Sequence, residues 1–287
     1  MEALANLNGE ILPLAEAKIP VLDRGFLFGD AVYEVLRVYA GKPWLQAEHF
    51  ARLAQSLEAI RIGSIDLEGL QTRMLQTIAA GSFQEATVYI QITRGVAPRR
   101  HPFPTGVTPT ELLSVQQFKD PYVEARRAGV AVITQADMRW KRCDIKSTNL
   151  LANVLAIQAA VEAGCVEALL VQADGTVTEG THTSLLGVKD GVLLTAPQSP
   201  AILPGITRSL ILRLAKRAQL SVREQSLKHA DLSRVTELFL TGTTSEVLPI
   251  VSVDGRPIGE GRRGSIARRL QEAYAEAVKE FAGSTSI

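Results

Sequence analysis

Four turn dipeptides limit what this chain can fold into. Asn8-Gly9, Asp174-Gly175, Asp190-Gly191 and Asp254-Gly255 each stand between short apolar runs. Pairs of this kind suit the positive-φ positions of a tight hairpin. Hairpins join antiparallel strands, whereas a doubly wound parallel sheet needs a crossover at each step. An α+β fold rich in antiparallel strands is therefore expected, with few βαβ units.

The periodicity between the turns fills in the elements. Ala31–Tyr39 alternates as a strand, with Tyr33, Val35, Arg37 and Tyr39 on one face and Val32, Glu34, Leu36 and Val38 on the other. Phe50, Leu53, Leu57 and Ile60 recur at helical spacing and predict a helix over Ala47–Arg61. A second helix is expected over Leu67–Ala80, and strands over Thr87–Thr93 and Glu111–Gln117. Arg94–Pro109, rich in Pro, Gly and Arg, reads as a loop. Lys119-Asp120-Pro121 reads as a link, so we expect a small N-terminal domain over residues 1–120 and a larger, antiparallel-rich one over 121–287. The second opens with a strand at Val130–Ala136. Helices are expected over Leu150–Ala163, Arg208–Ala218 and Gly264–Phe281, and a frayed tail over Gly283-Ser284-Thr285-Ser286.

Charge and composition narrow the partners. The chain has 287 residues, 46% of them hydrophobic, which is enough for a large core. With 31 basic and 30 acidic residues mixed along it, no basic stripe points to nucleic acid. The apolar runs are too short and interrupted to span a bilayer. Met1-Glu2-Ala3 lacks a charged n-region and an apolar h-region, so no signal peptide is expected. Cys143 and Cys165 are the only cysteines, and free, reduced thiols in the cytoplasm are the expectation. The histidines have no metal-ligand spacing with each other or with the cysteines, so no metal is expected. No GxGxxG follows an expected strand, and GxxxxGK[ST] and GxSxG are absent, which removes support for dinucleotide, P-loop and α/β-hydrolase readings.

The residues left over suggest one kind of chemistry. Lys146 lies in Arg142-Cys143-Asp144-Ile145-Lys146-Ser147-Thr148-Asn149, between a strand and a helix. Alone it reads as a surface lysine; Ile145 and Leu150-Leu151 instead imply a mostly buried amine, whose pKa burial would lower. Glu179 follows a strand and precedes Gly180: a solvated strand end, or an anion beside a protonated ring nitrogen. Gly205-Ile206-Thr207 stands before a helix with Thr207 as the expected N-cap, and Thr241-Gly242-Thr243-Thr244 follows an apolar strand. Both could offer free amides to a phosphate, with Arg52 adding charge unless it is merely the solvated edge of its helix. An amine, an acid and phosphate donors in that order suit pyridoxal phosphate. Arg99-Arg100-His101 is an exposed loop or a carboxylate recognition site.

With those segments, the chain resembles the fold-type IV pyridoxal-phosphate enzymes from about Asn8 to Tyr274. Asp23-Arg24-Gly25-Phe26-Leu27-Phe28-Gly29-Asp30-Ala31-Val32-Tyr33-Glu34 and Lys146-Ser147-Thr148-Asn149-Leu150-Leu151 carry the resemblance, followed in order by the Glu179, Gly205 and Gly242 segments. Within that family it is most similar to the D-amino-acid aminotransferases, through Thr93-Arg94-Gly95-Val96-Ala97-Pro98-Arg99-Arg100-His101-Pro102-Phe103-Pro104.

The resemblance implies a two-domain α+β fold and transamination between D-amino acids, of the D-alanine or D-glutamate type, and 2-oxo acids. It implies Lys146 as Schiff-base lysine and proton shuttle, and Glu179 as partner of the pyridine nitrogen. Arg52, Ile206, Thr207, Gly242 and Thr243 resemble the phosphate holders, and Arg139 the contact to the phenolic oxygen, where branched-chain enzymes are expected to have tyrosine. Tyr33, Arg99 and His101 resemble the carboxylate trap, the last two reaching in from the partner subunit of a homodimer. The chain departs from the family at Ser184, where asparagine is often found, and at Thr181-His182-Thr183, where small serines are common. His182 is thereby expected to touch substrate. The alternatives on the same scaffold are branched-chain L-aminotransferase, (R)-amine transaminase and aminodeoxychorismate lyase. An idle phosphate-metabolite binding protein is the alternative of another class.

Overall fold

The computed structural model describes residues 2–63 and 65–284. Met1, and Thr285 and Ser286 of the expected tail, lie outside them. The described residues fall into two compact units: one takes the chain up to Lys119 with Ile145–Asn149 and Ser284, the other Asp120–Asp144 and Leu150–Gly283.

The first unit is built on an antiparallel sheet. Its elements are β1 (Leu4–Leu7), β2 (Glu10–Pro13), α1 (Arg24–Phe28), β3 (Ala31–Tyr39), β4 (Lys42–Pro43), α2 (Gln46–Ala59), α3 (Leu67–Ala80), β5 (Ala86–Thr93) and β6 (Thr110–Gln117). The strands run in the order β2-β1-β6-β5-β3-β4. Asn8 and Gly9 take φ of 52° and 98°, closing the β1–β2 hairpin as the dipeptide requires. β3 pairs β5 from Ala31↔Thr93 to Val38↔Ala86. The face of β3 bearing Val32, Leu36 and Val38 is buried with Phe50, Leu53 and Leu57 of α2 and Leu70, Met74 and Ile78 of α3. Short α1 was not expected from periodicity. It is set by Asp23, whose carboxylate accepts from the Gly25 amide at 2.8 Å, and by Gly29, left-handed at φ 62°.

The segment carrying Lys146 belongs to this unit. It runs along β3: the Tyr33 amide donates to Lys146 O at 2.9 Å, the Thr148 amide to Ala31 O at 3.2 Å, and Ser147 bridges Val32. Ile145 joins the apolar core.

The second unit comprises α4 (Val123–Ala128), β7 (Val130–Ala136), α5 (Leu151–Glu162), β8 (Glu167–Val171), β9 (Thr176–Gly180), β10 (Ser184–Lys189), β11 (Val192–Thr195), α6 (Ile206–Arg217), β12 (Val222–Glu224), β13 (Leu227–Lys228), β14 (Glu237–Gly242), β15 (Glu246–Val253), β16 (Arg256–Pro257) and α7 (Ser265–Gly283). The strand order is β12-β11-β10-β14-β15-β7-β8-β9-β13, with β16 on β15. Most pairs are antiparallel. β7–β8, joined through α5, β7–β15 and β11–β12 are parallel. Asp190-Gly191 and Asp254-Gly255 turn with both residues at positive φ. Leu169, Val177, Leu185, Leu238, Leu240, Leu248 and Ile250 lie in its core.

One local expectation is corrected. Thr207 is not the N-cap of α6; Gly205 is, in extended conformation, and the helix starts at Ile206 rather than Arg208. A cap needs non-helical φ/ψ, which Gly205 adopts, so Thr207 falls inside the first turn. Among the described residues no helix is long and apolar enough to cross a membrane.

Candidate active site

In the first unit, chemistry gathers on both faces of β3. Lys146, half-buried, sets its Nζ 4.3 Å from the centre of the Tyr33 ring. Tyr33 stacks on Tyr89 at 5.7 Å, and burial with the neighbouring phenol pushes Tyr89 up to about 12. On the opposite face, Glu34 is fully buried and takes two bonds from Arg52, Nε to Oε1 at 2.7 Å and Nη2 to Oε2 at 2.8 Å. His49 Nδ1 lies 2.7 Å from Glu34 Oε2. Burial alone would raise the Glu34 carboxyl, but Arg52 and His49 outweigh it and hold it at about 2. Burial pushes His49 down, against the pull of Glu34. Arg52 is thus a buried, oriented guanidinium and not a solvated helix edge.

The carboxylate candidates Arg99 and His101 are exposed in the irregular segment after β5. Their side chains rest on Phe28, Arg99 Cζ 5.3 Å and the His101 ring 5.5 Å from its ring centre.

The second unit holds two further clusters. Glu179, next to last in β9, is buried, with Arg139 Nη1 donating to Oε1 at 2.5 Å and the Leu203 amide at 3.1 Å. Arg139 also donates through Nε and Nη2 to Asp137, both at 2.9 Å, and through Nη2 to Thr178 Oγ1 and Ala201 O. One guanidinium therefore serves two carboxylates, leaving a surplus negative charge. Burial raises both, but Arg139 and Thr178 hold Asp137 below the usual carboxylate range. At Glu179 burial wins, and the carboxyl is pushed up to about 7 despite Arg139 and the Leu203 amide. Burial also opposes the charge on Arg139, where the two carboxylates prevail and raise the guanidinium. The surplus charge thus sits on Glu179, which is suited to accept a proton or a cationic N–H.

The last cluster is an anion cradle. Gly205 opens α6 with no side-chain cap, so the first amides of the helix point out unpaired by a cap. A Cβ at Gly205 would meet Ser184 Oγ at 2.5 Å, and one at Gly242 would meet Ser245 Oγ at 2.8 Å. Thr241 Oγ1 and Ser245 Oγ are buried without a hydrogen-bond partner, which polar atoms rarely tolerate unless a ligand completes them. Gly205, Ile206 and Thr207 form one wall; Gly242, the last residue of β14, and Thr243 lie beside Thr241 and Ser245.

Two buried carboxylates that brace these clusters are not singled out by the sequence. Asp137 is one; the spacing Asp137-Met138-Arg139 was its only signal. Glu167 is the other. Buried at the start of β8, it accepts from the Thr181 amide at 3.0 Å, Thr183 Oγ1 at 2.9 Å and Thr181 Oγ1, and fixes the turn after Glu179. His182 is half-exposed there, with Nδ1 3.1 Å from Glu167 Oε2. Cys143 and Cys165 are free, and burial pushes the Cys143 thiol up to about 11. Among the described residues no cluster of His, Cys, Asp and Glu could hold a metal.

Comparison with known proteins gives the family. D-alanine aminotransferase of Bacillus licheniformis is 39% identical over 272 residues, covering 94% of this chain and 95% of that protein. The enzyme of the same name from Staphylococcus aureus (strain N315) is 38% identical over 275 residues, covering 95% and 97%. Among solved structures, the branched-chain amino acid aminotransferase of Escherichia coli superposes with a TM-score of 0.90 at 29% identity, over 96% of this chain and 94% of that one. The branched-chain enzyme of T.th., solved with pyridoxamine 5'-phosphate, gives 0.90 at 29%, over 98% and 95%. The model of the amino-transferase class IV family matches residues 31–253, and the chain belongs to that family.

Proposed function

We propose that this enzyme moves amino groups between D-amino acids of the D-alanine type and 2-oxo acids. What carries the reading is identity of 38–39% to D-alanine aminotransferases along nearly the whole chain, against 29% to the branched-chain structures. Class IV aminotransferases are pyridoxal-phosphate enzymes; the cofactor supplies an aldehyde for the amino group and a ring that takes up electrons when the Cα proton leaves.

Residues of this chain fit that group. The α6 N-terminus at Ile206 and Thr207 and the Gly242–Thr243 turn are assigned to the phosphate, which would complete Thr241 Oγ1 and Ser245 Oγ. Arg52, oriented by Glu34, adds charge to it. Glu179 holds a ring nitrogen protonated, its surplus charge being what such a nitrogen needs. Arg139 fixes Glu179, and its phenolic-oxygen contact would draw on the second N–H of Nη1. Lys146 supplies the amine that links the cofactor and carries the proton to and from Cα. Tyr33, Arg99 and His101 bind the substrate carboxylate, with the last two serving the neighbouring copy in a homodimer. His182 borders the substrate side chain. Free thiols favour the cytoplasm as the place of work.

Half-reactions of the yellow holoenzyme with D- and L-amino acids and (R)-amines, followed by cofactor absorbance, test the reading. D-Alanine and D-glutamate are expected to react, with borohydride fixing the cofactor to Lys146. Reaction with L-leucine in preference to D-alanine would transfer the enzyme to the branched-chain activity. Arg139, standing where those enzymes are expected to carry tyrosine, argues against that outcome. A colourless protein would support the idle binding alternative, against which Lys146 and Glu179 both speak.

A further inference from the structure

Arg99 through Phe103 expose five side chains in succession. A stretch like this has few contacts of its own to fix it. Its backbone is held from beneath instead. Arg24, only 4% exposed, donates Nη1 to Arg100 O at 2.6 Å and Nη2 to His101 O at 3.2 Å. Its Nε donates to Asp30 Oδ2 at 2.7 Å. Asp30 in turn accepts from Arg94 Nε at 2.8 Å and Nη2 at 3.0 Å. Arg94 is tied to the Arg61 and Ile60 carbonyls at 3.0 and 2.6 Å, and its Cζ lies 3.6 Å from the Phe103 ring centre. The Phe28 ring lies under Arg24 at 4.9 Å and also supports Arg99 and His101.

The local fold aims Arg24 at the loop. Asp23, fully buried, caps α1 and accepts from Thr93 Oγ1 at 3.0 Å and Thr110 Oγ1 at 2.7 Å. A Cβ at Gly25 would lie 2.5 Å from Thr93 Cγ2, so the glycine allows α1 to seat against β5. Neighbouring carbonyls need two divergent donors on one rigid plane, which a guanidinium has and an ammonium lacks.

We propose that Arg24 is a positioning residue for substrate-carboxylate recognition: held by Asp30, it fixes the carbonyls of Arg100 and His101, and Phe28 supports the side chains of Arg99 and His101 above them. The inference rests on the reading of Arg99 and His101 as the carboxylate-binding pair. Pinning the backbone removes an ordering cost that substrate binding would otherwise bear.

The test is steady-state kinetics of the holoenzyme with D-alanine, together with competitive inhibition by acetate, in R24K, R99A and the double variant. R24K keeps a cation beside Asp30 but loses the fork. KM for D-alanine and Ki for acetate are expected to rise together by about tenfold, with kcat changing far less. The double variant should be little worse than R99A alone, because both changes disable one device. F28L, which leaves the guanidinium–carbonyl bonds in place, should raise the acetate Ki in the same direction and serves if R24K does not fold. Unchanged Ki in the folded variants, or losses that simply add to those of R99A, would overturn the role of Arg24 while leaving the carboxylate pair standing. An unchanged Ki and KM in R99A itself would remove the pair, and the role of Arg24 with it.

Discussion

Replacing Glu179 by glutamine isolates the surplus charge beside Arg139. The amide keeps the shape and still accepts from Arg139 Nη1 and the Leu203 amide, but it does not titrate in this range. In the cofactor-free wild type, burial raises the Glu179 carboxyl from 4.5 to about 7. Between those values the folded chain holds a proton that the unfolded chain has released. Stability is therefore lost as pH climbs through that window, and the loss is complete above about 7. The gap, at about 1.4 kcal/mol per pH unit, corresponds to roughly 3 kcal/mol. Urea unfolding of the cofactor-free proteins at pH 5 and pH 8 reads it directly. The wild type should lose roughly 3 kcal/mol more than Glu179→Gln between the two pH values. Saturating cofactor should flatten the wild-type profile, since a cationic ring nitrogen keeps the carboxylate charged. The half-reaction of the variant should slow by about two orders of magnitude or more, with cofactor affinity changing much less. Parallel pH profiles for wild type and variant would refute the assignment of surplus charge to Glu179.

Lys146→Ala is expected to abolish transamination while cofactor still binds through its phosphate; substantial turnover in that variant would remove Lys146 from the chemistry. Gly205→Ala sets a methyl 2.5 Å from Ser184 Oγ and 3.2 Å from Arg208 Cβ at the mouth of the α6 cradle. Spectroscopic titration should show pyridoxal phosphate binding at least about tenfold more weakly, a loss of roughly 1.4 kcal/mol, with pyridoxal itself little affected. Equal losses for both would mean that the cradle does not hold a phosphate.

The sequence was legible where periodicity and turn chemistry act alone. Alternation from Ala31 to Tyr39 matches β3 end to end, and its one discordant residue, Glu34 on the apolar face, is the buried partner of Arg52 and His49. Asn8-Gly9, Asp190-Gly191 and Asp254-Gly255 turn with both residues at positive φ, as the dipeptides predict, whereas at Asp174-Gly175 only the glycine does. Elements set by tertiary contacts were hidden. α1 is too short for a helical period and depends on Asp23 meeting Thr93 and Thr110 from distant strands. β8 is a continuous apolar run after Glu167, a pattern that does not distinguish strand from helix. Among site residues, Lys146, Glu179 and Arg139 were named from motifs and family resemblance. The second carboxylate on Arg139 and the Glu167 brace require three-dimensional neighbours, which spacing along the chain does not disclose.

The two faces of β3 also govern which changes of length this gene can carry. Tyr33 stands on the Lys146 side, and Glu34 is buried with Arg52 on the other. Because side chains alternate, deleting or adding one residue between Ala31 and Tyr33 would exchange them, placing a carboxylate against the lysine and a phenol in the core. The backbone bonds from Tyr33 and to Ala31 tie the Lys146 segment to that same register. Gly191 and Gly255, by contrast, have open space around them. Libraries with codon insertions should thus recover active enzyme from the two Asp-Gly turns and none from β3, however conservative the inserted residue.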